Sequence, residues 1–121
     1  MSSIPSEQFT IVIVNYNGGS MLLRCVESVI ASGVLPDKMV LVDNGSRDNS
    51  DNMLSAGFPA AKVILNDCNA GFARAANQGL AEANAKFGIV LNNDALISVE
   101  TLSALAAAFS SDQFHKWRAT K

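Results

Sequence analysis

Phe87-Gly88-Ile89-Val90-Leu91-Asn92-Asn93-Asp94 is the stretch on which the reading of this chain turns. Residues 87–91 have the composition of a short buried strand, with its core at 89–91 after Gly88. A polar cluster carrying one carboxylate follows at once. In a parallel α/β sheet the C-terminal ends of the strands open onto the ligand crevice. An acid placed there can hold a hard cation, and the cation can hold phosphate oxygens.

Working outward, two more polar clusters stand directly after apolar runs. Asn15-Tyr16-Asn17-Gly18 follows the β-rich run 9–14, and Asp43-Asn44-Gly45-Ser46 follows the run 39–42. A fourth run is Lys62–Leu65, followed by a loop over 66–71. Between these runs the apolar spacing changes to helical. Leu22, Val26, Val29 and Ile30 mark a first helix, with Ser20 as its cap and Gly33 as its stop. Pro36-Asp37 signals a turn. Ser46 or Asp48 is placed to cap a helix running through Ala56, ended by Gly57 and Pro59. A helix over 72–85 puts Phe72, Ala76, Leu80 and Ala83 on one face, and Ser98 caps a last helix with Leu102, Leu105 and Phe109 on one side.

The expected order is β-α-β-α-β-α-β-α. Such alternation predicts an α/β fold with a mostly parallel sheet, flanked by helices on both faces and joined by right-handed crossovers. Three strand ends then meet at one site. The last stretch, 110–121, loses periodicity and reads as an irregular tail; residues 1–8 read as an N-terminal arm.

Composition bounds the function. A chain of 121 residues, 49% hydrophobic, suits one domain with a real core. No apolar stretch approaches the ~20 residues that span a bilayer. The first eight residues lack a basic region followed by an apolar one, so they do not read as a secretory signal. A net charge of -2 gives no pointer to a nucleic-acid partner. Cys25 and Cys68 form neither a disulfide framework nor a zinc site, and read as reduced thiols of a cytosolic protein. His115 stands alone in the tail and receives no role. Phosphate-loop, dinucleotide and serine-elbow motifs do not occur.

Each polar cluster supports a chemistry beside a plainer turn reading. Tyr16 offers a flat face and a hydroxyl for a base, while Asn17 and Gly18 belong equally in a βα turn. Asp43 can accept from a base N–H or ribose hydroxyl, or Asp43 and Ser46 can cap the next helix. Gly71 opens a helix whose free N–H groups can meet a phosphate. Arg74 can add a cation there or stand as a solvated surface residue. Asn77 sits mid-helix, where a buried amide would need partners. Asn92 and Asp94 make a thin oxygen ligand set, suited to Mg²⁺ or Mn²⁺ and unlike structural zinc.

Taken together, these clusters resemble the family-2 glycosyltransferases of the GT-A fold. The likeness is carried by residues 11–18, by 42–46 with Asp48 and Ser50, by Asn69, Gly71, Phe72, Ala73, Asn77 and Gly79, and by 91–95. It runs over about 9–109, and the asparagine-rich version looks most like the branch containing rhamnosyltransferases. The resemblance implies a Rossmann-like nucleotide-binding half and a donor that is a nucleotide-diphosphate sugar, UDP- or dTDP-linked. It implies that Tyr16 and Asp43 contact the base, that Asn69 and Gly71 lie near ribose or base, and that Asn77 supports the site. Asn15, Asn17, Asn44, Phe72 and Asn93 complete the expected substrate-binding set. Asp94, with Asn92, would bind Mg²⁺ or Mn²⁺ on the diphosphate, neutralising the departing nucleoside diphosphate.

The sequence departs from the family pattern at two acids: Asn92 replaces the first of the metal motif, and Asn44 the second of the usual Asp-Asp-Gly-Ser. Length is the larger departure. Family catalytic domains carry a second half with acceptor contacts and a general base, and neither Glu100 nor Asp112 sits in a base motif. The expectation is therefore a truncated domain: an enzyme by ancestry, acting on a cell-envelope glycan, or alternatively a non-catalytic nucleotide-sugar binding module. An unrelated flavodoxin-like or nucleotidyltransferase-like domain would need loops that are absent. A sheet edge left bare by truncation predicts a homodimer. Localisation is expected to be cytoplasmic, with at most peripheral association at the inner face of the membrane.

Overall fold

Alternate residues of β1 (Phe9–Asn15) serve two cores. Phe9, Ile11 and Ile13 pack on one side of the sheet, Val12 and Val14 on the other. This is the period-2 logic of a strand covered on both faces. The computed structural model describes residues 5–50, 52, 57 and 60–109. Within them β1 is preceded by a 3₁₀ turn, Pro5–Gln8, and followed by α1 (Gly19–Ala31), a 3₁₀ turn at Pro36–Lys38, β2 (Met39–Asp43), β3 (Lys62–Leu65), α2 (Phe72–Ala81), β4 (Phe87–Asn92) and α3 (Val99–Phe109).

The four strands form one parallel sheet in the order β3-β2-β1-β4. The chain moves outward from β1 to β3 and then crosses back to lay β4 on the free side of β1. Strand order therefore reverses at β1, and the crevice beyond the carboxyl ends is where such sheets bind ligands. Register brings Asn15 beside Asp43, and Val14 beside Asn92. α1 and α3 cover the Phe9-Ile11-Ile13 face through Leu22, Val26, Val29, Leu102 and Ala106. α2 covers the other face through Ala75 and Ala76. Helices on both faces of a parallel sheet are the predicted architecture.

Several local expectations change. α1 starts at Gly19 with Gly18 as its cap residue, not at Ser20. The cap position has room only for glycine: a Cβ at Gly18 would collide with the Asn15 side chain and lie 2.6 Å from Asn93 Nδ2. Gly33, at φ +94, does sit at the stop of α1. α2 ends at Ala81 instead of 85, and its buried residues are Ala75, Ala76 and Gly79. Phe72 and Leu80 are exposed, because small residues let this helix ride directly on the sheet; a Cβ at Gly79 would collide with Val12 Cγ1. Ser98 caps α3 as expected, accepting from Thr101 N at 3.2 Å. β4, expected to be buried, is at most half-buried beyond Phe87, because it is an edge of the sheet among the described residues. Most of the helix expected to end at Ala56, the tail from 110 and the first four residues lie outside the described residues. No described helix is long and apolar enough to cross a membrane.

Candidate functional site

A cleft of about 380 Å³ opens at the carboxyl ends of β1, β2 and β4, lined by Val14, Tyr16, Asn44, Asn69, Phe72, Asn92 and Asn93. Its position follows from topology, since the reversal at β1 leaves the loops after β1 and β4 diverging. Two rings, Tyr16 and Phe72, are 45% and 50% exposed and stand free of the core. The remaining polar lining is made of neutral amides.

Beneath the cleft lies a buried hydrogen-bonded floor centred on Asn15. Asn15 Nδ2 donates to Asp43 Oδ1 at 2.8 Å and to Ser46 Oγ at 3.1 Å. Asn15 Oδ1 accepts from Gly18 N at 3.1 Å and from Asn93 Nδ2 at 2.9 Å. The amide is fully satisfied, as a buried amide must be. Asn93 Nδ2 also donates to the Tyr16 carbonyl at 3.3 Å. One side chain thus ties the ends of β1, β2 and β4 together.

Asp43 is 2% exposed, and its carboxylate faces this floor. Oδ1 accepts from Ser46 Oγ at 2.7 Å as well as from Asn15, and Oδ2 accepts from Ser46 N at 2.9 Å. The Ser46 hydroxyl in turn accepts from Asn17 N at 2.9 Å, and Asn17 Oδ1 accepts from Arg47 N at 2.8 Å. Ser46 therefore bridges β2 to the loop after β1. Asn17 stands at φ +51, a conformation Asn tolerates better than most residues.

A second network holds the wall of the cleft. Asn44, also 2% exposed, bonds to Asn66, Asn69, Ala70 and Gly71. Asn66 and Gln78 form a reciprocal amide pair at 2.8 and 3.0 Å, which anchors the loop to α2. Asn69 Oδ1 accepts from Gly71 N at 2.9 Å, and Gly71 takes φ +90 at the start of α2.

The expected site residues thus fall into groups. Tyr16, Asn44, Asn69, Phe72, Asn92 and Asn93 line the cleft. Asn15, Asn17 and Asp43 form the supporting floor. Gly71 turns the loop into α2. The sequence expects a buried amide at Asn77, and the structure corrects this: Asn77 is exposed, and the helix amide that holds the loop is its neighbour Gln78. The helix phase decides which of two adjacent amides points inward. Asn66, Gln78 and Val14 were missed, and no local pattern marks them, because Asn66 and Gln78 meet across a loop and two turns of helix.

Asp94 is exposed in the turn after β4, directly beyond Asn92 and Asn93, and does not itself line the cleft. Asn92 Oδ1 accepts from Asn93 N at 3.1 Å. Among the described residues no three His, Cys, Asp or Glu side chains gather as a metal site. The donors on offer, one carboxylate and one amide oxygen, are hard. They fit a cation that keeps water and shares phosphate oxygens, and not one needing a full protein cage. Asp94 also contributes, after burial itself, to pushing the Cys25 thiol up to about 11. The exposed Asp48 carboxyl is held below its ordinary value, chiefly by the Ser50 hydroxyl; Ser50 Oγ accepts from Gly19 N at 3.3 Å at the start of α1.

Comparison with known proteins places this geometry. Residues 10–115 match the family model described as Glycosyl transferase family 2. The glycosyltransferase GlyG of Streptococcus pneumoniae serotype 4 is 27% identical over 103 residues, which are 83% of this chain and 34% of GlyG. Staphylococcus aureus TarS, solved in complex with UDP-GlcNAc, superposes with a TM-score of 0.69 at 24% identity, over 85% of this chain and 31% of that one. A TarS structure in complex with UDP also matches. Mannosyltransferase PcManGT of Pyrobaculum calidifontis, in complex with GDP-Man and Mn²⁺, superposes with a TM-score of 0.72 at 20% identity, over 87% of this chain and 33% of that one. The solved structures share the fold. The chain spans about a third of the length of each of these relatives.

Proposed function

This chain belongs to glycosyl transferase family 2, and on that premise we propose that it binds the nucleoside diphosphate portion of a nucleotide sugar in the cleft at the ends of β1, β2 and β4. Residues 9–109 are the nucleotide-sugar-binding half of a glycosyltransferase domain. The observation that carries the reading is the pairing of two exposed rings, Tyr16 and Phe72, with an amide-lined rim at the point where strand order reverses. Aromatic faces exposed beside fixed hydrogen-bonding groups suit a flat polar base.

In this reading the base lies against Tyr16 or Phe72, and the Asn69 amide N–H groups supply donors at its rim, its oxygen being taken by Gly71 N and Asn44. Asn92 and Asn93 face the diphosphate side. Asp43, expected to contact the base, is 2% exposed with both carboxylate oxygens accepting from Asn15 and Ser46, and in this reading it acts from below: it orients Ser46 and Asn15, and Asn15 orients Asn93. Mg²⁺ or Mn²⁺ would be held by Asp94 with Asn92, and when bound it offsets the charge that grows on a departing nucleoside diphosphate. The Mn²⁺ in the PcManGT complex supports this for the fold, and the hard oxygen donors support it for this chain. The donor is proposed as UDP- or dTDP-linked and the acceptor as a cell-envelope glycan. None of the relatives named above is described as a rhamnosyltransferase.

A second reading is favoured by one observation. Among the described residues the cleft lining includes no carboxylate and no imidazole, the usual bases toward an acceptor hydroxyl. On this reading the chain binds a nucleotide sugar and does not transfer it. Self-association belongs to both readings, because among the described residues β4 is a sheet edge and Leu96 just beyond it is 70% exposed. Sedimentation showing a monomer at high concentration would exclude self-association.

Calorimetry with UDP, dTDP and GDP, with and without Mn²⁺, tests the nucleotide site. UDP or dTDP should bind more tightly with Mn²⁺, and Asp94→Ala should remove that enhancement. No binding of any nucleotide, or an undiminished Mn²⁺ effect in the variant, defeats the assignment. Binding without transfer from UDP-GlcNAc to water or to added glycan favours the second reading.

A further inference from the structure

We infer that Asn44 is a positioning residue: its amide latches the 66–71 loop into the shape that walls the cleft, and it reaches a nucleotide only through that loop. The inference rests on the reading of the cleft as a nucleotide site.

The argument is one of capacity. Asn44 Nδ2 donates to Asn69 Oδ1 at 3.1 Å and to the Gly71 carbonyl at 3.2 Å. Asn44 Oδ1 accepts from Asn66 Nδ2 at 3.1 Å and from Ala70 N at 3.2 Å. Two N–H groups and two lone pairs are all that a primary amide has. The side chain touches the cleft wall and has nothing left to offer a ligand. Two of the four partners are backbone groups of unambiguous sign, the Ala70 N–H and the Gly71 carbonyl. They determine which end of the amide is oxygen and which is nitrogen.

The same capacity explains why an amide stands here. A carboxylate could accept from Asn66 and Ala70, but it would set an oxygen against Asn69 Oδ1 and the Gly71 carbonyl. Half of the latch would become repulsion. Asn44 is itself anchored, since its backbone N donates to the Asn15 carbonyl at 2.8 Å. The loop has no apolar anchor of its own: Asp67, Cys68 and Asn69 are exposed. It presses on the preceding turn, where a Cβ at Gly45 would lie 2.9 Å from the Cys68 backbone. Its far end is strapped to α2 by the Asn66–Gln78 pair. Asn69 and Phe72, which line the cleft, stand on this loop and just after it.

The test uses the 121-residue chain, with UDP calorimetry and amide hydrogen exchange at about pH 7.5 and about pH 5. The parent is measured at both pH values as the reference, since Asp43 and Asp67 are the carboxylates near this loop. Asn44→Asp should weaken UDP binding by about ten-fold or more at the higher pH, the effect of about one lost buried bond. It should regain part of this at the lower pH, where a protonated carboxyl offers one donor in place of the amide's two. Asn44→Ala should be weak at both. Exchange at Ala70 and Gly71 should speed up in both variants while β1 amides stay protected. Binding by Asn44→Asp within two-fold of the parent at the higher pH overturns the latch. So does weaker binding with Ala70 exchange unchanged, which would mean direct contact. Should the variants not fold, the parent still decides: slow exchange at Ala70 supports the latch and fast exchange refutes it. A parent that binds no UDP defeats the nucleotide reading, while the exchange result still judges the latch.

Discussion

Asn15 donates to Asp43 at 2.8 Å across adjacent parallel strands, with both side chains buried. Strand register puts the two residues side by side, so the pair is built into the sheet and not into a loop. An uncharged amide gives the carboxylate a partner without requiring a second buried charge. Ser46 supplies the remaining donors.

Asp43→Asn tests this floor. It keeps the shape, but at least one of the acceptor positions facing Asn15 and Ser46 becomes a donor. Leaving a buried donor unsatisfied costs about 1–3 kcal/mol. Urea unfolding should show a loss in that range, with weaker UDP binding as the floor loosens. An unchanged midpoint would mean that the carboxylate is not structurally engaged.

Gly79→Ala should destabilise the chain even though Ala is the better helix former. The propensity gain is about 1 kcal/mol, but the added methyl collides with Val12, and overpacking of this kind costs about 1–3 kcal/mol. Combining it with Val12→Ala should recover stability relative to Val12→Ala alone. If Gly79→Ala were stabilising by itself, α2 would not lie as close to β1 as described.

Tyr16→Ala and Phe72→Ala should leave thermal stability nearly unchanged, since both rings are about half exposed. At least one should weaken UDP binding markedly, because stacking of a base on an aromatic ring is worth about 1–3 kcal/mol. Calorimetry on both variants decides which ring carries the base.

The Cys25 thiol predicts alkaline behaviour. Burial, aided by Asp94, raises it to about 11 from an ordinary value of 9.0. The folded chain then holds its proton where the unfolded chain releases it. Stability from this group is intact below about 9 and declines as pH rises toward about 11. Cys25→Ala should flatten that limb of the unfolding profile. A thiol reagent at mildly alkaline pH should modify the exposed Cys68 quickly and Cys25 slowly.

The Asp48 carboxyl, held low chiefly by the Ser50 hydroxyl, acts at the other end of the scale. Its contribution is present above the ordinary carboxylate range and fades as pH falls through the lowered value. Ser50→Ala should reduce the acid sensitivity of the α1 start, read as exchange at Gly19.

The strands, the parallel order and the polar clusters at the strand ends were legible in the linear chain. Apolar period and turn residues act over a few positions, and parallel strands covered on both faces announce themselves as unbroken apolar runs. Family membership was legible for the same reason, since Asn15-Tyr16-Asn17, Asp43-Asn44-Gly45-Ser46 and Asn92-Asn93-Asp94 each lie within a few residues. What folding alone settles is the direction in which each polar side chain looks. Asn15 and Asn93 are 78 positions apart, yet they share a hydrogen bond. Asp43 turns inward to Ser46, Asn77 faces solvent while Gln78 faces Asn66, and Asn44 is fully occupied by a loop more than twenty residues away. Donors and acceptors are paired by which strand ends become neighbours, and that proximity exists only once the sheet has closed around β1.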